Sequence, residues 1–335
     1  MAENKNSELQ LHFLNRIKDI IPESISLVDE LSDVLNLSSD SIYRRLRGET
    51  SLSIDEVAHL CSHYKLSFDS IAHQSSQINF EYNLLKDGNS FKTYLQGIRN
   101  DMQRIAQAPD RQIIYAAIDI PIFHHFAFPE LGAFKMFYWL KAVVNAPHLA
   151  NTVYDLRMAD EEMATIGSEI YDLYCQIPSV EIWTTETVNS LVKQIEYFWD
   201  SGNFQKHDDA IFICEQALEE LNTIERQAAQ SSKMAVNQVH EPTKFHLYES
   251  DIEIGNNCIL TRKSEELAVY ISVHTFNKML TRNPVFCKDT ETWLDNLMRK
   301  SVLISGSAER NRYQFFKTAN TKIKRLLDKI FADGM

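Results

Sequence analysis

Three arginines fall together at Arg44, Arg45 and Arg47. That clustering suits a polyanion, because Arg pairs bidentately with guanine and also clamps phosphate. A second cluster is the run Asp119-Ile-Pro-Ile-Phe-His124-His125-Phe-Ala-Phe128-Pro-Glu130, which continues into Phe134, Phe137, Tyr138 and Trp139. Adjacent histidines on one segment point to different sides, and without a spaced third ligand they make no metal site. The aromatic run has two readings. It is hydrophobic core, or it is the wall of a ligand pocket in which His124, His125, Phe128, Phe134, Tyr138 and Trp139 combine apolar surface with a few polar groups. A third feature, Ile304-Ser-Gly-Ser-Ala-Glu309, sets Gly306 and two serines ahead of a helix. Its backbone N–H groups either meet an anion or are capped by Ser307.

The chemistry beyond these clusters is sparse. The chain lacks a Gly-x-Ser-x-Gly elbow, a phosphate-binding Gly-x-x-x-x-Gly-Lys-Ser/Thr, a His-Glu-x-x-His and a Gly-x-Gly-x-x-Gly. Catalysis is left without a nucleophile, metal or cofactor, and the chain is expected not to be an enzyme. The cysteines Cys61, Cys175, Cys214, Cys258 and Cys287 are far apart and odd in number, which disfavours both a disulfide framework and structural zinc. No apolar segment resembles a signal peptide or spans a bilayer, so a cytoplasmic protein without membrane contact is expected.

These residues need elements to hold them. At 335 residues the chain has room for two domains. Leu11, Leu14, Ile17, Ile20 and Ile21 recur at helical spacing, which predicts a first helix over Leu9 to Ile21, ended by Pro22. Ser26 and Asp29 form a capping box opening a helix on Leu27, Val28, Leu31, Val34 and Leu35, and Asn36 suits the left-handed turn that ends it. Ser38 caps a helix over Ser39 to Arg47 that closes at Gly48. Ile42 and Leu46 face inward there with Leu37, and Ser39, Asp40, Tyr43, Arg44 and Arg47 face outward. Ser53-Ile-Asp-Glu56 is a full capping box for a helix through Tyr64, and Leu66, Phe68 and Ile71 close the module.

The stretch Leu31-Ser-Asp-Val-Leu-Asn-Leu-Ser-Ser-Asp-Ser-Ile-Tyr-Arg-Arg-Leu-Arg-Gly48, with Leu52 to Leu60 and Leu66 to Ile71, resembles the lambda-repressor/Cro-type helix-turn-helix family. Asn36 replaces the usual turn Gly, Ser32 replaces the usual Ala, and the Gln often found at a helix start is absent. The resemblance implies a five-helix domain whose third helix enters the major groove of double-stranded DNA, commonly as a dimer. It carries groove contact to Ser38, Ser39, Asp40, Tyr43 and Arg44, with Arg45 and Arg47 contacting base or phosphate. Charge opposes non-specific binding: the chain carries a net −12, so contact must rest on a local basic patch.

After a polar linker at 73–79, helices are predicted over Phe91 to Gln107, Phe128 to Val144, Asp160 to Cys175, Thr185 to Asp200, Asp208 to Ser231, Thr290 to Lys300 and Glu309 to Phe331. Strands are predicted over Gln112 to Ile118, Lys244 to Tyr248, Cys258 to Thr261 and Leu267 to Val273. On Asp208 to Ser231 the apolar stripe is Ile211, Cys214, Leu218, Leu221 and Ile224, with Glu220 outside it. The fold class expected is an all-α helix-turn-helix domain over 1–75 followed by a larger α+β domain over 80–335. The functional expectation is a DNA-binding transcriptional regulator, a homodimer whose second domain senses a small-molecule or protein effector, dimerises, or does both. A helix-turn-helix used for protein interaction and a DNA-targeted enzyme are the alternatives.

Overall fold

The computed structural model describes residues 3–21, 25–64, 66, 68, 78–82, 88–234, 241–273 and 277–334. The chain divides into two units, Met1–Asn79 and Phe80–Met335.

The first unit is helical. Its helices are α1 (Glu3–Lys18), α2 (Leu27–Leu35), α3 (Ser39–Leu46) and α4 (Ile54–Tyr64). Local chemistry sets the boundaries. Ser26 Oγ accepts from Asp29 N at the start of α2, and Asn36 ends it at φ 52°, ψ 47° while its N–H and that of Leu37 return to Ser32 O. Ser38 Oγ then accepts from Ser41 N, so α2 and α3 meet at a corner of three residues, 36–38. Ser53 and Glu56 bond reciprocally at 2.8 and 3.2 Å to open α4. Phe13, Leu14, Ile17, Leu31, Ile42 and Leu60 are buried together as the core. Gln10 on α1 ties down the loop after α3, donating to Arg45 O (2.9 Å) and Thr50 O (2.8 Å) and accepting from Leu52 N (2.8 Å). The predicted contributions of Pro22, Ile71 and most of the 73–79 linker lie outside the described residues.

The second unit is an α+β fold. In chain order it contains β1 (Glu81–Tyr82), α5 (Gly88–Gln107), β2 (Arg111–Ala117), the single turn α6 (Ile122–His125) and α7 (Pro129–Tyr138). Next come α8 (Glu161–Cys175), β3 (Ser179–Trp183), α9 (Asn189–Asp200) and α10 (His207–Gln230). It closes with β4 (Ser232–Lys233), β5 (Thr243–Glu249), β6 (Cys258–Lys263), β7 (Glu266–Val273), β8 (Asn277–Thr281), α11 (Pro284–Arg299), β9 (Val302–Leu303) and α12 (Glu309–Asp333).

The strands form one mixed sheet in the order β1-β8-β7-β6-β2-β3-β5-β4, with β9 also on β5. β2, β3 and β5 run parallel, and β6 to β8 continue the sheet antiparallel. Helix α11 covers one face over Ile114, Val180, Ile182, Leu260 and Val269. The remaining long helices cover the other, where Phe91, Ile113, Phe134, Ile170, Leu191, Ile213 and Phe316 share the main core.

Several elements differ from expectation. Strands β1, β3, β4, β8 and β9 fall outside the four expected strands. The helix expected over Phe128 to Val144 is α-helical only to Tyr138 and continues as a π turn, Trp139–Val143. Helix α11 begins at Pro284, earlier than Thr290, because Asn283 Oδ1 accepts from Val285 and Phe286 N and Pro at the first turn needs no partner. On α10 the buried stripe is Ala210, Ile213, Cys214, Ala217, Glu220, Leu221 and Ile224, so Glu220 faces inward. The segment before α12 caps nothing with Ser307. Gly306 N donates to Ala228 O, Leu247 N donates to Ser305 Oγ, and Arg312 fills the Ile304 and Gly306 carbonyls. Gly306 N, the donor an anion would need, is already bonded.

Candidate functional site

The outward face of α3 is built by the corner before it. Ile42 is buried and Leu46 half-buried, which leaves Ser38, Ser39, Asp40, Tyr43, Arg44 and Arg47 exposed. Glu49 sits close to this face, 2.8 Å from Arg47 Nε and 3.8 Å from Arg44 Nε. Both arginine side chains remain 57% exposed, so water screens the pairing. Arg45 departs from its expected role. It donates from Nη2 and Nε to the two carboxylate oxygens of Glu56 at 2.8 and 3.3 Å, and from Nη1 to Ser41 O at 3.2 Å. The carboxylate that closes the α4 capping box therefore captures Arg45 and locks α3 to α4.

In the second unit a cavity lies between α5 and the sheet. It encloses about 860 Å³ of empty space, its open mouth included. Ile98, Met102 and Ile105 from α5 and Ile113 and Ile259 from the sheet line its apolar part. The polar end follows from register. Ser272 pairs with Lys278, and Ser272 N donates to Asn257 O, so Asn257, Ser272 and Lys278 lie in one row across β6, β7 and β8. Asn257 Oδ1 accepts from Ile118 N at 2.8 Å and Asp119 N at 3.4 Å, which holds the chain as it leaves β2 and delivers Asp119 to the same end. This is the carboxyl end of a parallel strand, where open sheets commonly receive ligands.

Four side chains give this end its electrostatics. Lys135, a buried charge on α7, donates to Asp119 Oδ2 at 2.8 Å and to Gln194 Oε1 at 2.7 Å. Asp119 Oδ1 is buried and has no partner among the described residues. His125 is fully buried, its Nδ1 lies 2.7 Å from Glu220 Oε1, and its Nε2 has no partner among the described residues. Burial holds the imidazole well below its usual pKa, so it is neutral, and burial pushes Glu220 up to about 8. A protonated Glu220 donating to Nδ1 leaves an Nε2–H as a donor to the cavity; an ionised one accepts from Nδ1–H and makes Nε2 an acceptor. Lys278 Nζ lies over the rings of Tyr94 and Tyr270, 5.1 and 4.9 Å from their centroids, and burial pushes its pKa down.

No protein-family model, curated protein or solved structure matches this chain. Behind the cavity lies a second, closed array. His124, on the opposite side of α6 from His125, donates from Nε2 to Glu181 Oε1 at 2.8 Å, and the Tyr174 hydroxyl donates to the same oxygen. Trp183 Nε1 donates to Glu181 Oε2 at 2.8 Å. Burial alone would raise the Glu181 pKa, but His124 and these donors hold it below the usual carboxylate range. Lys233 donates to Tyr174 O and Ile177 O at 2.8 and 3.0 Å and lies 3.3 Å above the Tyr174 ring; burial pushes it down to about 7.

Of the six residues expected to line a pocket, only His125 lines this cavity. His124 is committed to Glu181. Phe134 packs among Tyr154, Phe198 and Phe204, Trp139 on Phe91, and Tyr138 on Phe198, because α7 turns its aromatic side toward α5, α9 and the loop before α10. Phe128 is half-buried at the start of α7. The residues missed were Tyr94, Lys135, Asn257, Tyr270, Ser272 and Lys278. Lys135 carried a signal: it is the first charge after Glu130 on an otherwise apolar helix, and such a charge needs a buried partner. Among the described residues no group of His, Cys, Asp and Glu is placed to hold a metal, and no helix is long and apolar enough to cross a membrane.

Proposed function

We propose that this chain is a sequence-specific DNA-binding transcriptional regulator in which α3 enters the major groove and the second unit senses an effector, dimerises, or does both. The observation that carries the reading is the α2–α3 corner, which projects an exposed helix face bearing Ser39, Asp40, Tyr43, Arg44 and Arg47. Those side chains supply the mix a base-reading helix uses: hydroxyls and an Arg for base edges, and a second Arg for phosphate. Arg45 acts beneath that face as a strut. A dimer would set two such helices about 34 Å apart, one turn of the duplex.

One observation favours a second reading, in which the same face contacts protein. Glu49 partly neutralises Arg44 and Arg47, and the whole chain carries −12. Selection from a random duplex library at about 150 mM salt separates the two. The wild type and an Arg44→Ala/Arg47→Ala variant are compared. An enriched two-fold site lost in the variant supports DNA reading. Absence of enrichment, with and without cell extract, moves the assignment to a protein partner.

A further inference from the structure

We infer that the cavity binds a small, flat, largely apolar molecule with a carboxylate held by Lys278 at the β8 side of the polar row and a hydroxyl held between Asp119 and His125 at its β2 side. This assigns a ligand class to the effector site of the reading above and rests on it only for the biological role.

The walls account for the flat apolar body. Isoleucines and Met102 line one part of the cavity, and Tyr94, Tyr115, Phe123 and Tyr270 bring ring faces and edges to it. Such a lining holds an aromatic ring better than a flexible chain.

Lys278 accounts for the carboxylate. Its ammonium rests over two tyrosine rings, and among the described residues no carboxylate lies within ion-pair distance of it. The rings take one side of the charge; an ammonium carries three donors, so an anion has N–H left to meet.

The hydroxyl follows from two orphaned atoms. Asp119 Oδ2 is taken by Lys135 and His125 Nδ1 by Glu220, which leaves Oδ1 and Nε2, both buried, both on residues that line the cavity and both without a partner among the described residues. A buried polar atom without a partner is costly. A hydroxyl donates to Oδ1 and accepts from Nε2–H, so one group satisfies both. A protonated amine supplies only donors.

Spacing separates the two ends. Asp119 follows β2 and Lys278 lies on β8, with β6 and β7 between them. Three inter-strand steps are about 14 Å between backbones, a separation that suits a ligand with its two polar groups at opposite ends, such as a para-substituted ring with a one-carbon carboxylate arm. An α-amino acid, whose charged groups are about 3 Å apart, is too short.

The probe is para-hydroxyphenylacetate, with phenylacetate, which lacks the hydroxyl, and tyrosol, which lacks the carboxylate, as comparators. Titration calorimetry on the full chain, backed by thermal shift, should show the probe binding about tenfold tighter than either comparator. Lys278→Met should cut affinity for both carboxylates about tenfold and leave tyrosol unchanged. Asp119→Asn should erase the preference for para-hydroxyphenylacetate over phenylacetate. If that variant fails to fold, the comparison of the three ligands on the wild type still decides. Equal binding of all three, unaltered carboxylate binding by Lys278→Met, or no shift from any of them at about 5 mM overturns the assignment. The DNA selection is run without probe, so each assay fails independently of the other.

Discussion

Replacing Glu220 by Gln should stabilise the second unit at neutral and alkaline pH and do almost nothing at pH 5. Glu220 is fully buried, its Oε1 meets His125 Nδ1 at 2.7 Å, and its Oε2 has no partner among the described residues. Burial raises its pKa from 4.5 to about 8. Between those values the unfolded chain has released this proton and the folded chain still holds it, so stability falls as pH rises through the window and is level on either side. Each pH interval of one is worth at most about 1.4 kcal/mol, which puts the full loss by pH 8 near 5 kcal/mol. Relaxation around the site reduces this to roughly 2–3 kcal/mol. Gln keeps the shape and a partner for His125 while removing the titration. The assay is urea unfolding followed by tryptophan fluorescence at pH 5, 6.5 and 8. Trp139, Trp183, Trp199 and Trp293 all lie in the second unit, so the signal reports that unit alone. A gap between variant and wild type that does not widen from pH 5 to pH 8 would refute the reasoning.

Glu181 runs in the opposite sense. Its pKa is held below 4.5 when folded, so its contribution is present above that pH and lost as pH falls through the folded value. Glu181→Ala leaves the buried His124 and Trp183 N–H donors stranded, while the Tyr174 hydroxyl keeps Ser179 Oγ, and should cost about 3–5 kcal/mol at pH 7, a gap that narrows below about pH 4 in the same fluorescence assay. In the first unit, Arg45→Ala should lower stability by about 1–2 kcal/mol, read as faster hydrogen exchange of α3 and α4 amides. Unchanged exchange would remove Arg45 from its role as a strut. Glu49→Gln frees Arg44 and Arg47 and should raise duplex affinity several-fold, with the slope of log affinity against log salt steeper by about 1. A partner protein bound through this face would leave the duplex titration flat.

The first unit was readable because its punctuation is local. Ser26, Asn36, Ser38 and the Ser53–Glu56 pair each act on backbone groups within four residues, and all occur in the structure as the sequence implies. Much of what escaped in the second unit shares one physical cause. Pattern reading assigns charges to water, and here charged groups are buried against partners remote in sequence. Glu181 interrupts the apolar run of Ser179–Trp183 and hid β3, although its partner His124 lies 57 residues away. Glu220 was set outside the α10 stripe, although it meets His125 across 95 residues. The same effect divided the cavity. His125 was identified, but Asn257, just before β6, and Lys278, on β8, lie more than a hundred residues downstream, and only the register of β6 to β8 brings them to it.

These buried charges also bear on why the cavity is built as it is. Apolar residues of similar volume in place of Glu220, Lys135 and Asp119 would tend to give a more stable fold, since desolvation offsets much of what such pairs gain. What the charged set provides is fixed direction. Glu220 orients His125 from behind, Asn257 holds the backbone of Asp119, and Lys135 takes the Asp119 oxygen that does not face a free site. With each group already held from one side, a ligand arriving on the other has little to reorganise, and its hydrogen bonds are not spent on ordering the protein. The stability gained by Glu220→Gln and the selectivity of the cavity for a hydroxyl are thus two measurements of one arrangement. A corner that lost no stability to its charges would have less reason to be rigidly aimed at anything.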